Sequence, residues 1–180
     1  MNVELLTAEE WERKRLPLLR FVRTHGDRGI GSAAWLRLVR LQAAELNLPG
    51  TAIAVMFTAG GQPAGVAFAA GCGEEACLAV VHPALRGRGI CRSLLARLGM
   101  EWGRLSCRVP LGQTASLAAC FAAGFVAVGL ESLPAGKPAL RLEFGQSLSS
   151  VRSAGSVSGV SGVSGVKAEA AAGSAAAARG

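Results

Sequence analysis

Residues Ala76 to Val81 read ACLAVV, with no charge and nothing more polar than a thiol. A strand of that kind has no face to give to water, so it must lie within a sheet covered on both sides. The next segment narrows the fold further. His82 to Leu98 reads HPALRGRGICRSLLARL, in which two glycines alternate with two arginines. A helical apolar pattern starts at once, with Ile90, Leu94, Leu95 and Leu98 on one face. Apolar strand, glycine-rich turn and amphipathic helix together specify a layered α/β domain.

The flanking segments fit that layering. Thr7 to Thr24 reads as a helix capped by Thr7, with Glu9 and Glu10 in its first turn and Leu16, Leu18, Leu19 and Val22 as its apolar face. Pro17 is a place for it to kink or split. Ser32 caps a second helix over about Ala33 to Leu46, with Trp35, Leu36, Val39 and Ala43 or Ala44 inward. Thr51 to Thr58 and Ala64 to Ala70 are strands joined by a turn at Gly60 to Pro63. After the helix that ends near Trp102 come a strand at Leu105 to Val109 and a helix at Thr114 to Ala123. Strands at Phe125 to Leu130 and Ala139 to Phe144 close the series. The expectation is a single mixed α/β domain over residues 1–144, with helices on one layer of sheet. Residues 145–180, with SVSGVSGVSGV and an alanine-rich end, lack core-forming side chains and read as a disordered tail.

Composition limits the partners. The net charge is +7, nearly all from arginine, since Lys14, Lys137 and Lys167 are the only lysines. Such a balance suits an anionic ligand. The arginines are scattered and tyrosine is absent, so no basic stripe with interleaved aromatics marks a nucleic-acid surface. The five cysteines, Cys72, Cys77, Cys91, Cys107 and Cys120, form no C-x-x-C pair and read as free thiols in a reducing cytoplasm. The start, MNVELLTAEEW, has no basic region followed by an apolar core, so no secretory signal is read. Val109 to Leu130 is uncharged over a length that spans a bilayer. However, Pro110, Gln113, Thr114, Ser116 and three glycines make it a short helix and a strand instead. Two histidines and dispersed cysteines give no metal-ligand spacing.

The turn Arg86-Gly87-Arg88-Gly89-Ile90-Cys91 has a chemical reading of its own. The first turn of a helix leaves four backbone N–H groups without partners, and the helix dipole adds to their attraction for an anion. Glycines let the loop fold tightly enough to aim those groups at one small volume, while Arg88 and Arg92 add charge-assisted bonds. The demand is for a phosphate or diphosphate. The triphosphate-binding loop is excluded because no Lys-Ser or Lys-Thr is present here, and the dinucleotide fingerprint because Arg92 stands at its third glycine.

The stretch resembles the signature of the GNAT superfamily of N-acetyltransferases, [Q/R]-x-x-G-x-[G/A], with Cys91 at the last small position. The frequent V-x-P-x-x-R-G-x-G run is also present, from Val81 through Pro83 and Arg86 to Gly89. A second block, N-x-x-A-x-x-x-Y-x-x-x-G-[F/Y], ends here on Gly124-Phe125 and places Gln113, Ser116 and Cys120 at its Asn, Ala and Tyr positions. The resemblance covers about residues 1–144. It implies a mostly antiparallel central sheet flanked by helices, and acetyl-CoA as acyl donor, its diphosphate held by Arg86, Gly87, Arg88, Gly89, Ile90, Cys91 and Arg92. It further implies a pantetheine arm along Leu78, Ala79, Val80 and Val81, with Gln113 nearby, and a small amine or amino-acid-like acceptor. The alternatives are a non-catalytic CoA- or phosphate-binding domain and a basic nucleic-acid-binding protein. A monomer and a homodimer are equally compatible with the sequence.

Acetyl transfer to an amine needs a polarised thioester carbonyl, a neutral amine and a proton for the leaving thiolate. With no tyrosine in the chain, the acid candidates are Cys120, Ser116 one turn before it, and water. The base candidates are Glu74 or Glu75 before the apolar strand, His82 after it, and a water chain. Cys120 also reads as a small buried filler. Asp27, Glu45, Trp11 and Trp35 are the residues singled out for acceptor recognition.

Overall fold

The computed structural model describes residues 2–26, 31–133 and 136–145. The expected tail at 145–180 lies outside these residues except for Gly145, and so does Asp27. The chain runs β1 (Val3–Leu5), α1 (Ala8–His25), α2 (Ser32–Arg40), β2 (Ala52–Phe57), β3 (Pro63–Ala70), β4 (Ala76–Val81), α3 (Ile90–Trp102), β5 (Leu105–Pro110), α4 (Thr114–Ala122), β6 (Phe125–Ser132) and β7 (Pro138–Phe144).

The strands form a mixed α/β domain but not one continuous sheet. β1 to β4 make an antiparallel sheet in chain order, and β5, β7 and β6 make a second one with β7 in the middle. Ala54 pairs with Ala67, Ala67 with Ala79, and Cys107 with Leu142. β4 and β5 therefore end their sheets side by side with no ladder between them. The core has two parts. Met56, Ala67, Leu94, Leu98, Cys107, Cys120 and Leu142 belong to one cluster, with α3 and α4. Trp11, Phe21, Leu38, Ile53, Val66, Phe68 and Val80 belong to the other, with α1 and α2. The apolar strand β4 serves both, as its composition requires.

α1 begins with a reciprocal cap. The Glu10 N–H donates to Thr7 Oγ1 at 3.2 Å and the Thr7 N–H donates to Glu10 Oε2 at 3.0 Å. Pro17 does not split the helix. Leu16 and Pro17 lie on its solvent side, Leu16 being 77% exposed, so the face read as apolar is Trp11, Leu18, Phe21 and Val22 instead. The second expected helix is shorter than read. It stops at Arg40, and a separate 3-10 turn covers Ala43–Asn47. Leu38 and Leu41 are its buried anchors, while Leu36 is 47% exposed. β1, only three residues long, is an addition; its pairing with β2 comes from the sheet edge and not from its own pattern.

Candidate functional site

Just ahead of β4 the chain makes one close approach to β5. Gly73, at φ +89°, packs its Cα so near β5 that a Cβ there would stand 1.8 Å from the Ser106 carbonyl oxygen. Past that contact the edge of β4 facing β5 offers backbone N–H and C=O groups that no ladder takes. Side chains alternate along β4. Leu78 and Val80 are buried on the α1 and α2 side, whereas Ala79 and Val81 are half-buried and pack toward α3. Of the four residues expected along the pantetheine arm, only these two turn their side chains to the α3 side.

β4 leads into a 3-10 turn over Pro83–Leu85, held by the Ala84 N–H donating to His82 Nδ1 at 3.3 Å. Gly87 and Gly89 come next at φ +75° and +77°, the left-handed region that favours glycine. Gly89 is the N-cap of α3, and no side chain caps that helix. The first-turn N–H groups thus open onto a turn whose residues 86–89 are exposed, and a Cβ at Gly87 or Gly89 would meet nothing within 4 Å. Bare donors, a positive helix end and free space fit an anion. Arg88 and Arg92 are exposed beside it, Ile90 is buried as an anchor and Cys91 is half-buried. Arg86 turns away to α1, donating from Nη2 to the His25 carbonyl at 3.4 Å.

On α4, Gln113 is the half-buried N-cap and Ser116 is half-buried one turn before the buried Cys120. Cys120 Sγ lies 3.9 Å from Cys107 Sγ of β5. That contact, with burial, pushes the Cys120 thiol well up. For Cys107 the contact with Cys120 lowers the pKa, but Cys77 and burial raise it further, so this thiol is also pushed up. Burial carries Cys91 to about 12. Cys77, Cys91, Cys107 and Cys120, from β4, α3, β5 and α4, thus share one region, and the raised Cys91, Cys107 and Cys120 stay protonated, which makes those three poor nucleophiles. A thiol of this kind is also a poor proton donor to a thiolate of ordinary pKa. Cys120→Ala is accordingly expected to lower turnover by less than about tenfold, whereas loss of roughly 100-fold, with Cys120→Ser no better, would identify Cys120 as the acid.

The base candidates sit at opposite ends of β4. Glu75 is exposed and bonds Arg37 Nε at 3.3 Å. Glu74 accepts from Arg108 at 3.0 Å and Arg141 at 2.9 Å. Burial alone would raise Glu74, but Ser106 and the two guanidiniums outweigh it and hold the carboxyl below its usual range, which weakens it as a base. His82, at the far end, faces Phe21 and His25. Glu75 and His82 are therefore not brought together, while Cys120 and Ser116 share one side of α4. Glu45 is taken up by Arg37 at 2.7 Å, and Trp11 is core, 1% exposed with its indole N–H on the Leu41 carbonyl.

Three groupings escaped sequence reading: the cysteine cluster, the histidine pair, and the network of Glu74, Arg108, Glu131 and Arg141. The inward alternation of Leu105, Cys107 and Val109 was a usable signal for the first. Nothing local marks the others, which join residues far apart in the chain.

These charges also set an acid response. Burial, then the charges of His82 and Arg86, lower the His25 pKa. The unfolded chain therefore binds this proton more readily, and stability falls as pH drops below about 6.5. Glu10, Glu45 and Glu74 are held low as well, so a second loss sets in below about 4.3. Thermal melts from pH 8 to 3 are expected to show both stages, and His25→Asn is expected to remove the first. A Tm flat from pH 8 to 5 in the unaltered protein would contradict it.

Among the described residues no His, Cys, Asp or Glu group can hold a metal ion, and no helix is long and apolar enough to cross a membrane. No protein-family model and no curated protein matches the chain. Solved structures do. A mutant of the spermidine N-acetyltransferase of Vibrio cholerae is 13% identical, with 80% of this chain and 94% of that one covered and a TM-score of 0.54. The ribosomal-protein-S5-alanine acetyltransferase of Vibrio fischeri is 12% identical, with 78% and 90% covered and a TM-score of 0.58. AAC(6')-Ib in complex with ribostamycin and coenzyme A is 18% identical, with 87% and 98% covered and a TM-score of 0.51.

Proposed function

We propose that this chain, which has the fold of the GNAT acetyltransferases, moves an acetyl group from acetyl-CoA to the amine of a small-molecule or amino-acid-like acceptor by direct attack. The observation that carries the reading is the uncapped start of α3 behind Gly87 and Gly89, at the end of a strand whose outer edge is unpaired. Such a turn suits a diphosphate and such an edge suits the amides of a pantetheine arm. A neighbour of the same fold holds coenzyme A.

In the proposed reaction the neutral amine attacks the thioester carbonyl carbon and forms the C–N bond. The C–S bond breaks, the amine passes a proton to water, and the thiolate leaves and is protonated. Backbone N–H groups on the free edge of β4 are the donors available to the developing oxyanion. The thiols are not used, because burial keeps them protonated. Positioning the amine against the thioester supplies most of the rate. Water protonates the leaving thiolate, directly or relayed through the Ser116 hydroxyl on α4.

Titration with acetyl-CoA, free CoA and duplex DNA tests the binding step. Both CoA species are expected to bind. Failure of both below millimolar concentration would overturn the proposal, and salt-dependent DNA binding in their place would favour a nucleic-acid role. A panel of amines with a free-thiol readout then tests transfer. Tight CoA binding with no thiol release from any of them would leave a non-catalytic CoA-binding domain.

A further inference from the structure

Two runs of the chain carry no charge, residues 46–73 and Val109 to Leu130. Burial accounts for the first, since β2 and β3 are buried almost throughout. It does not account for the second. Leu111, Phe121, Val128 and Leu130 all come from that run, and they are half of the large apolar side chains that lie exposed among the described residues. Ala127, Val128, Gly129 and Leu130 form an exposed row along β6, with Leu130 at 66%, and α4, which packs against β6, adds the exposed Phe121. β6 is also an edge strand. β7 takes one side of it, and among the described residues no strand takes the other. Edge strands are ordinarily guarded by charge or by a bulge. β6 has a bulge at Val128, but its one charged residue, Glu131, is drawn across the sheet to Arg108 at 2.8 Å and Arg141 at 3.7 Å.

We propose that β6 is a self-association surface, on which two copies of this chain meet antiparallel about a two-fold axis and form a reversible dimer. Charge argues for a second copy as the occupant. Each chain carries +7 and repels its like, so two copies meet closely only where neither presents a charge, as along this edge. An acidic partner would be drawn to the arginines instead. Geometry argues the same way. An axis between Val128 and Gly129 sets Leu130 of one copy opposite Ala127 of the other, and Val128 opposite Gly129, so each large side chain meets a small one. That pairing needs Ala127 and Leu130 on one face, and the bulge puts them there, beside Leu142 and Leu140 of β7. The two Glu131 residues then stand about 17 Å apart along the strands, beyond a Debye length at physiological salt. The same bulge limits the new ladder to a few bonds. One strand and the outer side of one helix also fall short of the roughly 20–30 residues a side of a standard interface. The dimer is therefore weak, with a Kd of about 1–100 µM.

Sedimentation velocity of the full chain, from about 1 to 300 µM, tests this. The unaltered protein is expected to pass reversibly from monomer to dimer and no further, since a two-fold contact closes on itself. Leu130→Lys and Val128→Lys are each expected to raise the Kd at least about tenfold, because each brings two like charges into the contact. Leu16→Lys is the control: that leucine is as exposed but lies on α1, and its substitution is expected to leave the Kd unchanged. Thermal melts check that the variants fold, as exposed positions should allow. If one does not, amide exchange of the unaltered protein replaces it. Protection of the β6 amides over 126–131 is expected to rise with protein concentration, while that of β5 and β7 stays level. A monomer at every concentration, growth past the dimer, or a dimer equally stable in both lysine variants would overturn the proposal. So would β6 protection that does not change with concentration.

Discussion

Gly73→Ala is expected to lower Tm by more than about 10 °C, the largest stability effect of any substitution considered for this fold. Two costs combine. The backbone at Gly73 has φ +89°, which costs an L side chain about 1–2 kcal/mol. The added methyl would also meet the Ser106 carbonyl oxygen at 1.8 Å, its carbon at 2.9 Å and Leu105 Cδ1 at 3.1 Å. The first two are backbone atoms of β5 in register with β7, so they cannot swing aside as a side-chain tip would. Strain and overpacking together reach about 4 kcal/mol, which for a domain of this size corresponds to a Tm loss on the order of 10 °C or more. A thermal melt checks this, with Gly87→Ala as the control. That glycine also has a positive φ but open space around it, so it is expected to cost only the strain. A loss at Gly73 no larger than at Gly87 would mean that β5 yields, and that the junction between the sheets is softer than its contacts imply.

That junction also marks the limit of what the sequence made legible. The apolar run of β4 and the face of α3, Ile90, Leu94, Leu95 and Leu98, are both where their patterns put them. Those elements carry their own burial signal over enough residues to be unambiguous. The start of α3 was equally readable, because the helical apolar pattern begins at Ile90 directly after the glycine turn. The division into two sheets was not, since which strands pair is settled between residues far apart in the chain, as is the approach of Gly73 to Ser106, 33 positions on. The extent of α1 was read nearly as it stands, Thr7 to Thr24 against Ala8–His25, and only the break offered at Pro17 is not there. A proline is costly in a helix when the carbonyl it strands, four residues back, is buried, and here Arg13 and Pro17 are both exposed. In the site, the turn was legible because one local stretch builds it. The candidate acid and base groups were not, because Glu74, Cys120 and His82 acquire their surroundings only through tertiary contacts. Cys120 shows the difference well. The resemblance puts it at a tyrosine position, and only the fold reveals the Cys107 thiol against it.

Gly89→Ala is expected to weaken CoA binding by about ten- to a hundredfold, and Arg88→Ala by less than about fivefold. The contrast comes from the different things the two residues offer. Arg88 is exposed, so its charge acts through screened surroundings and a released side chain can be replaced in part by Arg92 nearby. Gly89 holds the left-handed N-cap in front of an uncapped first turn. Alanine there either keeps that conformation under strain or relaxes it and turns the N–H groups out of line. The open space decides how the result is read. A Cβ at Gly89 meets no protein atom within 4 Å, so the substitution creates no internal clash and should shift Tm by only a few degrees. Lost affinity in a protein that still melts near its original temperature would then come from the ligand's own claim on that space, or from misaligned donors. Calorimetric titration with CoA, run beside thermal melts of both variants, makes the separation. Equal affinities for the unaltered protein and Gly89→Ala would place the diphosphate elsewhere. A larger loss for Arg88→Ala than for Gly89→Ala would mean that side-chain charge, and not the backbone of the turn, holds the anion.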